Sequence, residues 1–344
     1  MGWSRFMERE MREIADSAIL KNADIKAKRI LIGEGARLEN VRVESDSFFV
    51  GKDAKINNSI MLSNGSIEIG KLVQVKEDTV LKAFKGVKVG DRTIIDRGVV
   101  IAGLQSERSY FEVGRRCVIL HHSYINTARE VIIGNNVGIG GYCLIFTHGV
   151  WQNAFKGYPF QFGKVEIKDD VWLPWHVFVM PGVTIGKGTT IAGGSVVTKD
   201  IPEHCLAGGV PAKVIRGDNY PPELSVTDKH NLAKSILCDF VNYIKDFVCD
   251  KSISLEEIGD DKVVLTSNLG NVIYIKELAD NQSLAGLQLP ESFDIVSFRI
   301  PSSFKKSYNW IEIDSETRSK EMNKLSCELG QFISRYGVRL VDDI

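Results

Sequence analysis

The sequence lacks several features that would place it in a specialised class of protein. Its six cysteines contain no Cys-x-x-Cys pair, which argues against a disulfide or zinc framework and favours a reducing, cytoplasmic environment. Its 43 basic residues are balanced by 44 acidic ones, and lysine and arginine form no dense block. Neither nucleic acid nor an anionic membrane surface is therefore expected as a partner.

Long apolar runs are also absent. The first residues, MGWSRFMEREMREIADSAILK, are charged throughout and contain no apolar core of a signal peptide. No stretch is long and apolar enough to cross a bilayer. We expect a cytoplasmic protein without membrane insertion.

Glycine, with 31 residues, is the one unusual count, and its positions reveal an internal repeat. Between residues 30 and 215 an aliphatic residue recurs, usually followed by glycine, at Ile32, Val50, Ile69, Val89, Val113, Ile133, Ile167 and Ile185. Successive spacings are 18, 19, 20, 24, 20, 34 and 18 residues, so most lie near three hexads. Single hexads such as IGKGTT and IAGGSV are visible within one period.

A period of three hexads predicts a parallel β-helix. It is too short for most helical repeats, whereas six residues suit one flat side of a triangular coil, formed by a short strand and a turn. The aliphatic residue points inward, the glycine supplies uncommon turn angles, and coils stack about 4.8 Å apart. We therefore predict a mainly β protein with a β-helix over residues 30–217.

The segments outside the repeat are expected to form smaller units. Stacked coils expose strand edges at both ends, and these must be covered. Residues 1–29 are predicted to be a cap with an amphipathic helix over 3–19. Residues 218–344 are predicted to be an α+β module, with helices over 224–249 and 317–335. This module would cover the other end or form an oligomer contact; alternatively, it binds an acceptor, a carrier or a partner enzyme.

Two periods are longer than the rest. One carries about six extra residues at 104–109, and the other about sixteen just after His148, which makes a loop of about 148–164. A long loop on a rigid repeat scaffold is usually functional. Because imidazole exchanges protons near neutral pH, His148 at the root of the loop is a candidate general base. The alternative is a solvated turn residue.

The segment VWLPWHVFVMPGVTIGKGTTIAGGSVVTKDIPEHCLAGGVPAKVIRG, residues 171–217, resembles the hexapeptide-repeat acyltransferases. The nearest branch is the maltose/galactoside O-acetyltransferase type, a left-handed β-helix that works as a homotrimer. In that branch a Thr-His or Gly-His step opens an acceptor loop, as Thr147-His148 does here. The resemblance is strong over residues 110–217, and over 30–110 it extends only to the repeat.

The resemblance implies catalytic and substrate-binding roles. His148 would be the base for an acceptor that attacks acetyl-CoA directly, and the N–H of Trp175 would stabilise the oxyanion. His122 stands where the family has a substrate-polarising asparagine; alternatively, it only hydrogen-bonds its neighbours. Substrate-binding residues would be Asn126, Trp151 and Asn153.

The resemblance also implies a groove for coenzyme A between neighbouring subunits. Pantetheine would lie along Gly193 and Gly194, where small residues allow close approach to the backbone. Cations opposite the 3′-phosphate would satisfy its charge. The implied cofactor-binding residues are Trp172, Gly193, Gly194, Thr198, Lys199, Lys213 and Arg216.

The resemblance and these residues favour an acetyl-CoA-dependent O-acetyltransferase for a sugar or polysaccharide precursor. An amino-sugar N-acetyltransferase is the alternative enzyme, and a non-catalytic β-helix scaffold is the alternative of another class. A zinc site would need three nitrogens in tetrahedral reach, but the spacing of His121, His122, His148 and His176 does not match the close pair that the resembled zinc-binding β-helix enzymes use. No metal is expected.

Overall fold

The structure of this chain, a computed structural model, describes residues 11–278, 284 and 290–342. The chain divides into two compact units, residues 1–223 and 224–344. The first unit is a parallel β-helix and the second is a smaller sheet with helices. The β-helix predicted from the repeat is thereby confirmed.

Each coil of the β-helix has three short strands, and strands at equivalent positions pair in parallel from coil to coil. The first face contains β1 (Met11–Ile14), β4 (Arg29–Ile32), β6 (Ser47–Val50), β8 (Ser66–Ile69), β11 (Gly86–Val89), β14 (Tyr110–Val113), β17 (Val131–Ile133), β22 (Val165–Ile167) and β25 (Thr184–Ile185).

The second and third faces are joined in the early coils by two strands that turn a corner, β5 (Arg37–Glu44) and β7 (Lys55–Leu62). The second face also contains β2 (Ile19–Lys21), β9 (Gln74–Val75), β12 (Ile94–Ile95), β15 (Val118–Ile119), β18 (Gly138–Ile139), β23 (Trp172–Leu173), β26 (Thr190–Ile191) and β28 (Leu206–Gly209). The third also contains β3 (Asp24–Lys26), β10 (Thr79–Lys82), β13 (Val100–Ala102), β16 (Tyr124–Asn126), β19 (Leu144–Ile145), β24 (Phe178–Val179) and β27 (Val196–Val197). A last strand, β29 (Ala212–Arg216), folds back antiparallel on β28.

The aliphatic residues of the repeat form the core of the prism. Ile32, Val50, Ile133 and Ile185 are at most 2% exposed, as alternate residues of a strand must be if one side faces a closed interior. Burying each such side chain contributes roughly 1.5–3 kcal/mol of transfer free energy. The core therefore holds the outward side chains at fixed heights along the prism.

Two corners of the prism carry most of the residues predicted to be functional. The 2–3 corner joins the second face to the third and includes residues 96–99, 120–123, 140–143, 174–177 and 192–195. The 3–1 corner leads from the third face to the next coil and includes residues 63–65, 83–85, 103–109, 127–130, 146–164 and 180–183. Both overlong periods place their extra residues at the 3–1 corner. The longer insertion contains a short antiparallel pair, β20 (His148–Gly149) and β21 (Gln161–Phe162), and a 3-10 turn at Ala154–Lys156.

The N-terminal helix predicted over residues 3–19 is wrong for the part that the structure describes. Residues Met11–Ile14 form β1, which pairs with β4, and Ile19 begins β2. Residues 1–10 lie outside the described residues. Pairing with the next coil satisfies the backbone of this segment, and this tertiary contact overrides its local helical pattern.

The second unit is a seven-stranded mixed sheet. Its strands, in spatial order, are β30 (Ser254–Ile258), β31 (Lys262–Ser267), β32 (Gly270–Ile275), β33 (Asp294–Ser297), β34 (Trp310–Glu312), β35 (Thr317–Arg318) and β36 (Val341–Asp342). Its helices are α1 (Val226–Tyr243), extended by a π-helical turn at Ile244–Val248, α2 (Ser302–Lys305), and α3 (Lys324–Ile333), extended by a 3-10 turn at Ser334–Tyr336.

Two apolar clusters lie in this second unit. Helices α1 and α3 contribute Phe240 and Leu329 to a core that also includes Val272 of β32. A further cluster gathers around Ile273, Ile295 and Trp310. Consecutive residues such as Val272 and Ile273 enter different clusters because side chains alternate across a strand. The last predicted helix is shorter than 317–335, since Thr317–Arg318 belong to β35.

Candidate active site

His148 makes a short hydrogen bond at the root of the longer insertion. Its Nδ1 lies 2.8 Å from Oδ1 of Asn126, which ends β16 on the coil before it. The same Asn126 oxygen accepts the backbone N–H of Ala128 at 3.1 Å and lies 3.0 Å from the hydroxyl of Thr147. Asn126 is 2% exposed and Thr147 is fully buried, so this network is shielded from water.

These contacts determine which nitrogen of neutral His148 is protonated. A backbone N–H can only donate, so the atom of Asn126 that meets Ala128 is the carbonyl oxygen of the side chain. That oxygen can only accept from His148, and the proton of a neutral imidazole therefore resides on Nδ1. Nε2 keeps its lone pair, which is the state that a general base requires.

A stack of three planar groups extends from His148. The imidazole lies nearly parallel to the ring of Phe162, with centroids 5.7 Å apart. The guanidinium of Arg129 lies 4.4 Å from the centroid of the same phenyl ring. Phe162 thus packs against both the imidazole and the guanidinium.

The rest of the loop stands out from the β-helix. Trp151 is 98% exposed and Phe155 is fully exposed, so neither ring has a packing partner among the residues that the structure describes. Asn153 caps the 3-10 turn, because its Oδ1 accepts the N–H of Phe155. The indole ring of Trp151 is therefore accessible for its expected contact with substrate. The side-chain oxygen of Asn153 already accepts a hydrogen bond within the loop.

His122 is not brought to His148 within one chain. It lies at the 2–3 corner with a positive φ of 57°, and its ring contacts Tyr142 at 5.3 Å. His148 lies at the 3–1 corner of the next coil. Residues 122 and 126 mark the two ends of one side of the prism, about 13 Å apart at 3.3 Å per residue.

The 2–3 corner carries a cluster of rings from three successive coils. Tyr142 stacks on His176 at 5.5 Å, and His121 lies 4.9 Å from the ring of Trp175. Trp175 approaches the backbone so closely that a Cβ on Gly141 would lie 2.4 Å from its indole. These residues are far apart in the sequence and only the coil register aligns their rings, so the sequence did not reveal the cluster.

His121 of this cluster has a carboxylate partner. Its Nδ1 lies 3.3 Å from Oδ2 of Asp96, and Lys76 lies 3.0 Å from the other oxygen of that carboxylate. Burial raises the pKa of Asp96, but hydrogen bonds from Lys76 and the Arg97 N–H outweigh it and lower the pKa overall. Asp96 was not among the residues predicted from the sequence; the coil register alone places it next to His121.

The predicted oxyanion donor also lies at this corner. The backbone N–H of Trp175 donates to no carbonyl among residues 11–278, 284 and 290–342. Gly194, on the next coil of the same corner, has a φ of +70°, and a Cβ there would meet nothing within 4 Å. The N–H of Gly194 is used, since it donates to the Trp175 carbonyl at 3.0 Å. Gly193 is exposed beside it.

The remaining cofactor-binding candidates lie on the surface. Trp172 lies on the second face over Gly138, and Thr198 and Lys199 follow β27 at the 3–1 corner. Lys213 and Arg216 lie on the edge strand β29. Neither cation is within ion-pair distance of a carboxylate in the described part of the chain.

Eight of the sequence-predicted residues thus fall into two groups within a single chain. His148, Asn126, Trp151 and Asn153 lie at or next to the 3–1 corner. His122, Trp175, Gly193 and Gly194 lie at the 2–3 corner. One chain does not bring the two groups together.

No metal centre is found among the residues that the structure describes. They contain no group of three or more histidine, cysteine, aspartate or glutamate side chains that could hold a metal ion. Among the helices that these residues form, none is long and apolar enough to cross a membrane.

Known proteins resemble part of the chain. No protein-family model matches it. A protein of Staphylococcus aureus (strain MRSA252) that bears the name of an acetyltransferase is 52% identical over 68 residues, which are 20% of this chain and 34% of that protein. Galactoside O-acetyltransferase of Escherichia coli (strain K12) is 32% identical over 152 residues, which are 42% of this chain and 66% of that enzyme. The chain thus spans about a third of the length of its staphylococcal relatives.

Solved structures include the hexapeptide-repeat acetyltransferase of Vibrio cholerae in complex with acetyl coenzyme A. It shares 24% identity, and the match covers 38% of this chain and 70% of that chain with a TM-score of 0.34. The curated relatives confirm the resemblance to hexapeptide-repeat acetyltransferases that the sequence indicates.

Proposed function

We propose that the protein is an acetyl-CoA-dependent O-acetyltransferase that acts on a saccharide hydroxyl, with His148 as its general base. The observation that carries the proposal is the hydrogen bond between His148 Nδ1 and Asn126 Oδ1 at the root of the longer insertion. The names of the curated relatives support acetyl transfer, and one of them is an O-acetyltransferase of galactosides.

The chemistry of the base follows from this hydrogen bond. Nε2 of His148 takes the proton of the attacking hydroxyl while the oxygen forms its bond to the acetyl carbon of the thioester. The imidazolium formed in this step keeps its Nδ1–H on Asn126, whose oxygen stabilises the new positive charge. When the carbon–sulfur bond breaks, Nε2 returns the proton to the departing thiolate, so protons and charge balance.

The second group of residues is assigned to the thioester side of the site. The unused N–H of Trp175 would meet the negative charge that develops on the carbonyl oxygen. The open surface at Gly194 would accept the pantetheine arm, and the unpaired Lys213 and Arg216 of the described chain would face phosphate. We assign acetyl-CoA as co-substrate on this fit.

The two groups meet only if chains assemble. Because they lie at different corners of one prism, a site that contains both must form between the 3–1 corner of one copy and the 2–3 corner of another. A closed ring of three copies would form three such sites, and we therefore propose a homotrimer. His122 would then reach the acceptor from a neighbouring copy.

Replacement of His148 tests this proposal. His148→Ala should lower turnover with acetyl-CoA by about 10²–10⁴-fold while coenzyme A binding survives, because the base contributes to the chemical step. Release of thiol would be measured over a panel of sugars and amino sugars, and coenzyme A binding by calorimetry. His204→Ala, at an exposed turn, is the matched control. Absence of coenzyme A binding in the wild type would instead favour a non-catalytic scaffold.

A further inference from the structure

Both long insertions of the β-helix leave the same corner. Between β13 and β14 the 3–1 corner has seven residues, 103–109, and between β19 and β22 it has nineteen, 146–164. The corner that separates them on the intervening coil has only four residues, 127–130. Successive strands of a face are about 4.8 Å apart, so the insertions stand about 10 Å apart. We call the region formed by residues 103–109, 127–130 and 146–164 the acceptor trough.

Arg129 lies on the short corner between the two insertions. Its guanidinium is 4.4 Å from the centroid of Phe162, which in turn stacks on the candidate base His148. One of its nitrogens, Nη1, donates to the carbonyl of Ala128 at 2.8 Å. A guanidinium has five N–H donors, so most of its hydrogen-bonding capacity remains available.

The charge of Arg129 is not compensated within the described residues, where no carboxylate lies within ion-pair distance of it. The acidic side chains of the neighbouring coils are engaged elsewhere. Glu130 pairs with Lys85 at 3.7 Å, Glu112 pairs with Lys88 at 2.9 Å, and Glu166 contacts two lysines. A cation held against the same ring as a candidate base, with free donors, is suited to a planar or tetrahedral anion.

We propose that the acceptor is an anionic saccharide and that Arg129 binds its carboxylate or phosphate group. This inference rests on the proposed function and adds the substrate class to it. The anion on Arg129 would set which hydroxyl of the sugar faces Nε2 of His148. Arg129 is thus a specificity-determining residue, separate from the proton transfer itself.

Matched acceptors test this assignment. The 344-residue chain would be assayed with acetyl-CoA and the pairs galactose and galacturonate, glucose and glucuronate, and glucose and glucose 6-phosphate. The acidic members should have at least about tenfold higher kcat/KM than the neutral ones, as a charge-assisted pair provides. The uronates test recognition of a carboxylate, and glucose 6-phosphate tests recognition of a phosphate. A preference for either kind of acidic sugar over its neutral partner supports the proposal.

Variants of Arg129 assign the preference to this residue. Arg129→Gln should lower kcat/KM for the acidic sugars by about tenfold to hundredfold, as expected for loss of a charge-assisted pair, with no change in KM for acetyl-CoA. Arg129→Lys should restore part of the loss because it restores the charge. Arg37→Gln, which replaces an exposed arginine on β5 outside the trough, is the control and should leave the preference unchanged.

The outcomes separate this proposal from the function on which it rests. Equal rates for neutral and acidic sugars, or an equal loss for both in Arg129→Gln, would overturn the role of Arg129 while leaving the transferase intact. If no sugar is acetylated, saturation-transfer NMR decides instead. Galacturonate and glucose 6-phosphate should bind the wild type more strongly than galactose and glucose, and the difference should vanish in Arg129→Gln. No difference in binding would also overturn the proposal.

Discussion

At the scale of residues, one side-chain amide controls the state of the candidate base. The side-chain oxygen of Asn126 contacts the backbone N–H of Ala128, the hydroxyl of Thr147 and the imidazole of His148. The sequence identified His148 because it begins an overlong loop, and it named Asn126 only as a substrate contact. The structure adds a contact that the sequence did not predict, since the buried amide faces His148. The register between β16 and β19, which sequence spacing alone did not resolve, creates this contact.

Replacing Asn126 should show whether this residue positions His148 or binds the substrate. Asn126→Ala leaves the Nδ1–H of His148 without its acceptor, so turnover should fall by about 10²-fold, with KM for acetyl-CoA unchanged. Asn126→Asp keeps the acceptor and adds a negative charge beside the imidazole, so the pKa of the base in the rate profile should rise. The measurement is the dependence of kcat/KM on pH for the three proteins.

A purely structural role for Asn126 would give a different result. Both variants would then lose thermal stability and activity in parallel, and the pH profile of Asn126→Asp would coincide with that of the wild type. Thermal midpoints measured on the same samples provide the comparison.

At the scale of elements, the spacing of apolar residues correctly predicted the coils of the β-helix but not the strand at its N-terminal end. A residue such as Ile133 faces the closed interior of the prism, where the fold requires an aliphatic side chain. This requirement is visible in the sequence as the repeat. Residues Met11–Ile14 look helical locally but pair with β4, and a contact eighteen residues away is invisible to local periodicity. The cluster at the 2–3 corner was missed for the same reason, because its rings belong to different coils.

A largely buried carboxylate in the second unit should make the stability of that unit depend on pH. Glu312, on β34, has a side chain only 12% exposed, and it accepts the Ile300 N–H at 2.7 Å and Lys305 at 3.0 Å. Burial raises the pKa of Glu312, but hydrogen bonds from Ser315, Ile300 and Lys305 outweigh it and lower the pKa below its ordinary value. A carboxylate of this kind stabilises the fold above its unfolded pKa, and the stability is lost as pH falls through the folded pKa.

Glu312→Gln should remove this pH dependence. At pH 7 the variant should open more easily by about 1–3 kcal/mol, because a charged hydrogen-bond partner is lost. As pH falls from neutral through the folded pKa of Glu312, the difference from the wild type should shrink. Hydrogen exchange in β33 and β34 measures the opening free energy at each pH. Glu321→Gln, which replaces an exposed carboxylate, should behave as the wild type; a constant difference for Glu312→Gln at all pH values would contradict the assignment.

At the scale of the whole molecule, the proposed active site depends on assembly. The sequence and its resemblance predict a base, an oxyanion donor and cations for coenzyme A, but a single prism separates the candidate base from the candidate oxyanion donor. The register of each coil determines which residues lie on a face and which lie at a corner, and the sequence did not predict that register. A site shared between copies accounts for both groups and for the exposure of Trp175 and Tyr142, which are 41% and 45% accessible in one chain.

Mixing two variants with complementary defects measures this claim most directly. His148→Ala removes the base, and the double variant Lys213→Ala with Arg216→Ala removes the cations assigned to coenzyme A and should raise the KM for acetyl-CoA. If base and cofactor residues come from different copies, trimers reassembled from a mixture contain some sites with both groups intact. At subsaturating acetyl-CoA the mixture should recover about a quarter of wild-type activity, well above the average of its parents. Activity that stays at that average after subunit exchange would show that each site lies within one chain, and would contradict a site shared between copies.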